Sequence, residues 1–225
     1  MERFMIEGKR VSIFPSVGKE MLIVYLNEFS DEGGEVFDAM GKVGISGVSL
    51  VAMDNLDWNV DMVPWDFPPD FKGGAAGYLS LMGEKIIPKC EEFTGKSPRA
   101  IVGYSLAGLF SLYALISSDL FSYHGSVSGS LWFPGFSDYV LSSQLKGKSK
   151  GVYISLGDKE AGRGKGYMKV VGEQTSSISS SVKDADIPLI FEYNEGNHFT
   201  RPVARTVKGI KWLSNRAKED VCFGK

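Results

Sequence analysis

Between Arg99 and Ile116 the chain passes from a β-type apolar run straight into a helical one, with a single serine at the junction: Arg99-Ala100-Ile101-Val102-Gly103-Tyr104-Ser105-Leu106-Ala107-Gly108. No separate turn residues stand between the two periodicities, so Ser105 must carry the reversal itself. A reversal that sharp strains the serine backbone and brings strand and helix close together. The residues two before and two after must then be small, and Gly103 and Ala107 are; Gly108 adds room one step later. This is a G-x-S-x-G pattern with alanine at its second glycine. It puts Ser105 Oγ at the carboxyl end of a buried strand. It also puts the Leu106 N–H at a helix start, where an oxyanion would be received.

The rest of the chain supplies the sheet that such a junction needs. Residues 10–15 read as a short antiparallel leading strand, and 21–26 as a strand covered on both faces, because it is almost wholly apolar. A loop at 27–34, a helix at 35–40 with room to extend to Lys42, and a strand at 45–53 follow. Residues 75–93 form an amphipathic helix with Tyr78, Leu79, Met82, Ile86 and Ile87 at helical spacing, and Pro88 breaks or kinks it near its end. After the junction come a strand at 123–130, a strand at 150–156, a helix at 167–182, a strand at 187–193 and a closing helix at 202–215. Strands alternating with helices predict an α/β fold, a mostly parallel central sheet flanked by helices on both faces, in one domain over 1–225. Within it, 54–77 is an irregular aromatic loop, since Pro64, Pro68 and Pro69 exclude a regular helix or central strand.

Ligands of such sheets sit beyond the carboxyl ends of the strands. The loops holding Asn27, Asp54, Ser105, Trp132, Glu160 and His198 all fall there. A serine nucleophile needs a base, and histidine is the usual one near neutral pH. The chain has only two histidines. His198 follows the last strand in a polar loop, whereas His124 opens a strand and reads as structural. The base needs an acid to orient it, and both Asp158 and Glu160 lie in the loop after the strand at 150–156. Asp158 follows a glycine and can make the turn itself; Glu160 reaches further. The residues alone leave the two level. A second oxyanion N–H is expected from the loop after the strand at 21–26, with Phe29 first and Glu28 next.

Other chemistries find little support. There is no P-loop pattern and no G-x-G-x-x-G after a strand; the glycine-rich stretch 162–166 reads as a surface loop. No His/Cys cluster suggests zinc, and Asp57 with Asp61 is a weak pair for a metal, so neither a metal nor a cofactor is expected. Cys90 and Cys222 have no motif spacing. With a net charge of −2, no strong field recruits nucleic acid or anionic lipid. Residues 1–10 alternate charge without an apolar stretch, and no run approaches the ~18 apolar residues of a membrane helix. A cytoplasmic location is expected, and oligomeric state is unreadable.

Taken together, Gly103-Tyr104-Ser105-Leu106-Ala107-Gly108-Leu109-Phe110, Gly157-Asp158-Lys159-Glu160 and Gly196-Asn197-His198 resemble the putative-esterase group of α/β-hydrolases. That group includes enterochelin esterase-like proteins, esterase D and feruloyl esterases. The resemblance implies the α/β-hydrolase fold and hydrolysis of a small-molecule carboxylic ester through an acyl-enzyme on Ser105. His198 would be the base, with Leu106 and Phe29 N–H groups binding the oxyanion. It also implies Glu160 as the acid, because feruloyl-type members place theirs third after the loop glycine; Asp158 is the alternative. Trp58, Trp65, Trp132 and Phe199 would wall the substrate pocket. The alternatives are an acyltransferase or thioesterase on the same scaffold, or a non-catalytic binding protein that keeps the shell.

Overall fold

The strand expected at 21–26 is β3 (Leu22–Asn27), buried along its whole length. Its alternation explains how it is covered twice. Leu22, Val24 and Leu26 face a layer made by Val36 and Met40 of α1 (Gly33–Lys42) and by Val207, Ile210 and Leu213 of α8 (Pro202–Phe223). Ile23 and Tyr25 face the opposite layer, with Tyr78 of α3 (Ala75–Leu81) and Leu109 and Phe110 of α5 (Leu106–Ser117). Each fully buried Leu, Ile or Val contributes roughly 1.5–3 kcal/mol, so two-sided burial fixes the register strongly. This computed structural model describes residues 1–160 and 166–223.

Among the described residues, eight strands form one sheet. In chain order they are β1 (Glu2–Ile6), β2 (Lys9–Phe14), β3, β4 (Val48–Asp54), β5 (Arg99–Tyr104), β6 (Tyr123–Val127), β7 (Gly151–Gly157) and β8 (Leu189–Asn194). Their spatial order is β1-β2-β4-β3-β5-β6-β7-β8. The first two pairings are antiparallel and the other five parallel. This is the α/β-hydrolase-type sheet expected from the sequence. The chain leaves β3 to one side, for β4, and leaves β5 to the other, for β6, so the order reverses between β3 and β5, where crevices form at strand ends.

Several elements differ from expectation. β1 was hidden by its alternating charges; it pairs with β2 through a two-residue turn at Glu7 and Gly8, both at positive φ (47° and 78°), the conformation that twists two strands into a hairpin. The helical stretch from residue 75 is interrupted by a π-helical turn (Met82–Ile86) before α4 (Ile87–Thr94). Ile87 N–H reaches back to Met82 O, which puts Pro88 at the start of a new helical segment where its missing N–H costs little. The loop at 54–77 contains a short helix, α2 (Trp58–Asp61). A further helix, α6 (Phe136–Leu141), follows the aromatic loop after β6. A 3₁₀ turn (Gly166–Val170) leads into α7 (Val171–Asp184). β6 ends at Val127, three residues early, and α8 runs to Phe223, beyond the expected 215. Of the 162–166 stretch, 162–165 lie outside the described residues.

Candidate active site

Strand pairing brings distant residues together. Asn27 is paired with Gly103 across β3 and β5, so Phe29 and Ser105 each emerge two residues beyond one register point. Gly157 is paired with Asn194 across β7 and β8, so Glu160 and His198 leave the sheet from adjacent strand ends. Ser105 takes φ 58° and ψ −122°, a strained conformation for a residue with a side chain. It is held there by its N–H donating to Val127 O at 3.1 Å. A Cβ on Gly103 would land on the backbone carbonyl and Cβ of Ala107, so strand and helix touch where the small residues predicted it.

The three side chains meet. His198 Nε2 lies 3.1 Å from Ser105 Oγ, and His198 Nδ1 lies 2.8 Å from Glu160 Oε2. Burial works against charge on Glu160. Hydrogen bonds from His198, the Gly157 N–H (2.7 Å to Oε1) and Ser128 outweigh it and hold the carboxyl below its ordinary range. The other candidate acid has a different task. Asp158 Oδ1 accepts the Gly196 N–H at 2.8 Å and its own N–H donates to Asn194 O, so it pins the loop that carries His198. His124 is fully buried within β6, with Nδ1 3.0 Å from Ser149 Oγ; burial pushes its imidazole down to about 3.

The expected oxyanion donors are the Leu106 N–H and one N–H of the loop after β3. Leu106 is the first residue of α5, and its N–H has no acceptor within the helix by position. The second comes from the loop after β3. There the Glu28 N–H is already used, donating to Met53 O at 3.0 Å, which leaves Phe29. Glu28 itself is buried. Desolvation, reinforced by the Asp54 carboxylate, pushes its carboxyl up to about 7. Glu28, Asp31 and Asp54 bring carboxylate oxygens together, but Arg10 clamps Asp54 through two of its nitrogens and Arg3 pairs with Asp31. Asp61 is paired with Lys9 and accepts the Asp57 N–H at 2.7 Å, so its carboxylate serves α2.

Two clefts open on Ser105 and His198. One, about 290 Å³, runs between α1 and α8, past Phe29, Trp58, Val36 and Val203. The other, about 530 Å³, is bounded by Trp132, Lys159, Met168 and Val171. Trp58 and Phe199 stand in both. Phe29 and Phe199 are largely exposed, at 71% and 85%, and Phe29 meets Trp58 edge-on at 5.4 Å. Trp65 departs from expectation: it lines neither cleft. Its indole N–H donates to Pro134 O at 3.0 Å and its ring packs on Phe133, Phe136 and Tyr139, so it holds the aromatic loops together.

Sequence reasoning missed three residues. Arg205, on α8 and only 4% exposed, donates to Tyr104 Oη (3.1 Å), Ser128 Oγ (3.0 Å), Glu160 Oε1 (3.2 Å) and Glu195 O (2.7 Å). Tyr104 donates in turn to His198 O at 2.6 Å. Ser130 Oγ lies 3.1 Å from Ser105 Oγ. The signal for Ser130 was the small-residue run Ser128-Gly129-Ser130 at the end of the strand next to β5. Arg205 gave none, standing among ordinary helix-surface cations in the sequence.

No protein-family model matches the sequence. Over 154 residues the chain is 27% identical to uncharacterized protein YbbA of Bacillus subtilis (strain 168); the match covers 64% of this chain and 62% of that protein. The chain thus spans less than two thirds of the curated relative it matches. Among solved structures, it is similar to an IroE-like serine hydrolase from Shewanella oneidensis, with a TM-score of 0.72 and 20% identity over 95% of this chain and 79% of that one. It is also similar to the siderophore hydrolase EstB from Aspergillus nidulans, with a TM-score of 0.72 and 18% identity over 94% of each chain. The fold is therefore shared with hydrolases of the group that the sequence motifs resemble.

Proposed function

We propose that the chain is a serine carboxylic-ester hydrolase working through an acyl-enzyme on Ser105. The observation that carries this reading is the relay from Ser105 Oγ through His198 to Glu160, at 3.1 and 2.8 Å, on a strained strand-to-helix junction. His198 Nε2 takes the Ser105 proton as Oγ attacks the ester carbonyl carbon. Glu160 fixes the tautomer by accepting from Nδ1 and balances the imidazolium. The Leu106 and Phe29 N–H groups receive the oxyanion, each such donor typically contributing ~100- to 1,000-fold in rate. His198 returns the proton to the departing alcohol and then activates the water that releases the acid.

The substrate is a small-molecule ester with an apolar or aromatic group, recognised by Phe29, Trp58, Trp132 and Phe199 at the cleft mouths. The fold neighbour named as a siderophore hydrolase fits that class. No helix among the described residues is long and apolar enough to cross a membrane. A fluorophosphonate probe followed by intact mass measurement and peptide mapping tests the reading. A single adduct on Ser105, lost in Ser105→Ala, is expected together with hydrolysis of p-nitrophenyl acetate. A folded protein with no adduct and no turnover would turn the assignment toward a binding protein that keeps the hydrolase shell.

A further inference from the structure

The hydrogen-bond account at Ser105 Oγ has one more participant than the relay requires. A serine hydroxyl has one proton to give and lone pairs with which to accept. Glu160 is ionised and only accepts, so His198 Nδ1 must carry a proton, and in the neutral ring that a general base requires Nε2 is then an acceptor. The Ser105 proton therefore points to Nε2. The contact between Ser105 Oγ and Ser130 Oγ, at 3.1 Å, can then run in only one direction: Ser130 donates and Ser105 accepts.

Ser130 is buried and is held from its backbone. Its N–H donates to Ser105 O at 2.9 Å, and its carbonyl accepts the Phe133 N–H at 3.1 Å. The 128–130 segment is thus tied to the nucleophile residue by main-chain bonds that do not involve the hydroxyl. Building on the esterase reading above, we propose that Ser130 is a catalytic residue whose hydroxyl donates a hydrogen bond to Ser105 Oγ and stabilises that oxygen as it leaves during deacylation.

The step balances without moving a proton from Ser130. Water attacks the acyl carbonyl carbon and gives one proton to His198 Nε2. The carbonyl–Oγ bond then breaks, its electron pair passing to Oγ, and the Nε2 proton follows. Ser130 keeps its own proton throughout. Oγ carries most charge while it departs, so the hydrogen bond strengthens there. It helps acylation of a p-nitrophenyl ester less, because the leaving phenolate needs no such help and Oγ gives up charge as it attacks.

The test compares wild type, Ser130→Ala and Ser130→Thr with p-nitrophenyl acetate in stopped flow, and weighs the quenched enzyme by mass spectrometry. In Ser130→Ala the stoichiometric burst is retained while the steady-state rate falls on the order of 10- to 100-fold, the usual worth of a hydrogen bond to a charged group. The acetyl adduct accumulates on Ser105, and Ser130→Thr, which keeps the hydroxyl, restores turnover. A merely structural role would lower burst amplitude and steady-state rate together. That result, or an Ala variant as fast as wild type in steady state, overturns the proposal while the esterase reading stands. A wild type that neither bursts nor takes the fluorophosphonate overturns both.

Discussion

Arg205 Nη1 lies 3.2 Å from Glu160 Oε1, the carboxylate oxygen that His198 does not use. The acid is therefore held from both sides, by the ring it orients and by a buried guanidinium anchored on α8. Removing one partner of such a buried pair typically costs about 3–5 kcal/mol, because the remaining charge loses its compensation. Arg205→Met should lower the melting temperature markedly. It should also raise the Glu160 pKa, since the nearby cation that favours the carboxylate is gone. The acid limb of the kcat/KM profile, which reports protonation of the coupled His198–Glu160 pair, then moves to higher pH because a neighbouring cation has been removed. An unchanged acid limb in a folded variant would show that Arg205 only packs.

The two acids of the 157–160 turn make separable predictions. In Glu160→Gln the amide oxygen is claimed by the Gly157 N–H and Arg205, which turns the NH2 toward His198 Nδ1 and favours the unproductive tautomer, so kcat for p-nitrophenyl acetate should fall by roughly 10²- to 10⁴-fold. Asp158→Asn keeps an oxygen for the Gly196 N–H and should cost no more than about 1 kcal/mol of stability, with kcat little changed. The reverse ranking would exchange their assignments.

Why the sequence separated some of these roles and not others has a physical basis. The junction at Ser105 was legible because close approach of two backbones leaves its mark as glycine and alanine at fixed offsets. The sheet was legible because two-sided burial makes β3 and β5 nearly all apolar. The acid was not, because Asp158 and Glu160 differ in which way their side chains leave one turn, and that depends on the pairing of Gly157 with Asn194. Trp65 was misplaced because an indole closing a loop against Phe133 and one lining a cleft read alike in a string of residues. Arg205 acts through four acceptors that lie between 10 and 101 positions away, and no local pattern records such a convergence.

The junction itself can be probed by moving its one missing Cβ. On Gly103 that atom would meet the Ala107 carbonyl carbon and oxygen as well as its side chain. Gly103→Ala should therefore destabilise by about 1–3 kcal/mol or more through forced separation of strand and helix. Ala107→Gly costs only the helix penalty of glycine, about 1 kcal/mol, and retains activity. The double variant should not recover, because two of the three obstructing atoms belong to the backbone. Full rescue in thermal melts would mean that the Ala107 methyl alone sets the spacing.

Glu28 gives a pH prediction whose sign is fixed by its environment. Burial raises its carboxyl from 4.5 to about 7, with Asp54 adding to the effect, while the Gly33 N–H partly opposes it. Its Oε2 has no hydrogen-bond partner. The folded protein therefore holds this proton more tightly than the unfolded chain does. Stability linked to the group is fully present below about pH 4.5 and is lost as pH rises through about 7. A shift of that size is worth about 3 kcal/mol at the limit, and screening by the solvent that reaches this partly buried carboxyl reduces it to about 1–2 kcal/mol. Glu28→Gln stays neutral and still offers an oxygen to Gly33. In urea denaturation the variant should match wild type near about pH 4.5 and exceed it by that amount near about pH 8. Comparing variant with wild type at each pH cancels every other titrating group, so a difference that does not change with pH would mean that Glu28 is already ionised across the range.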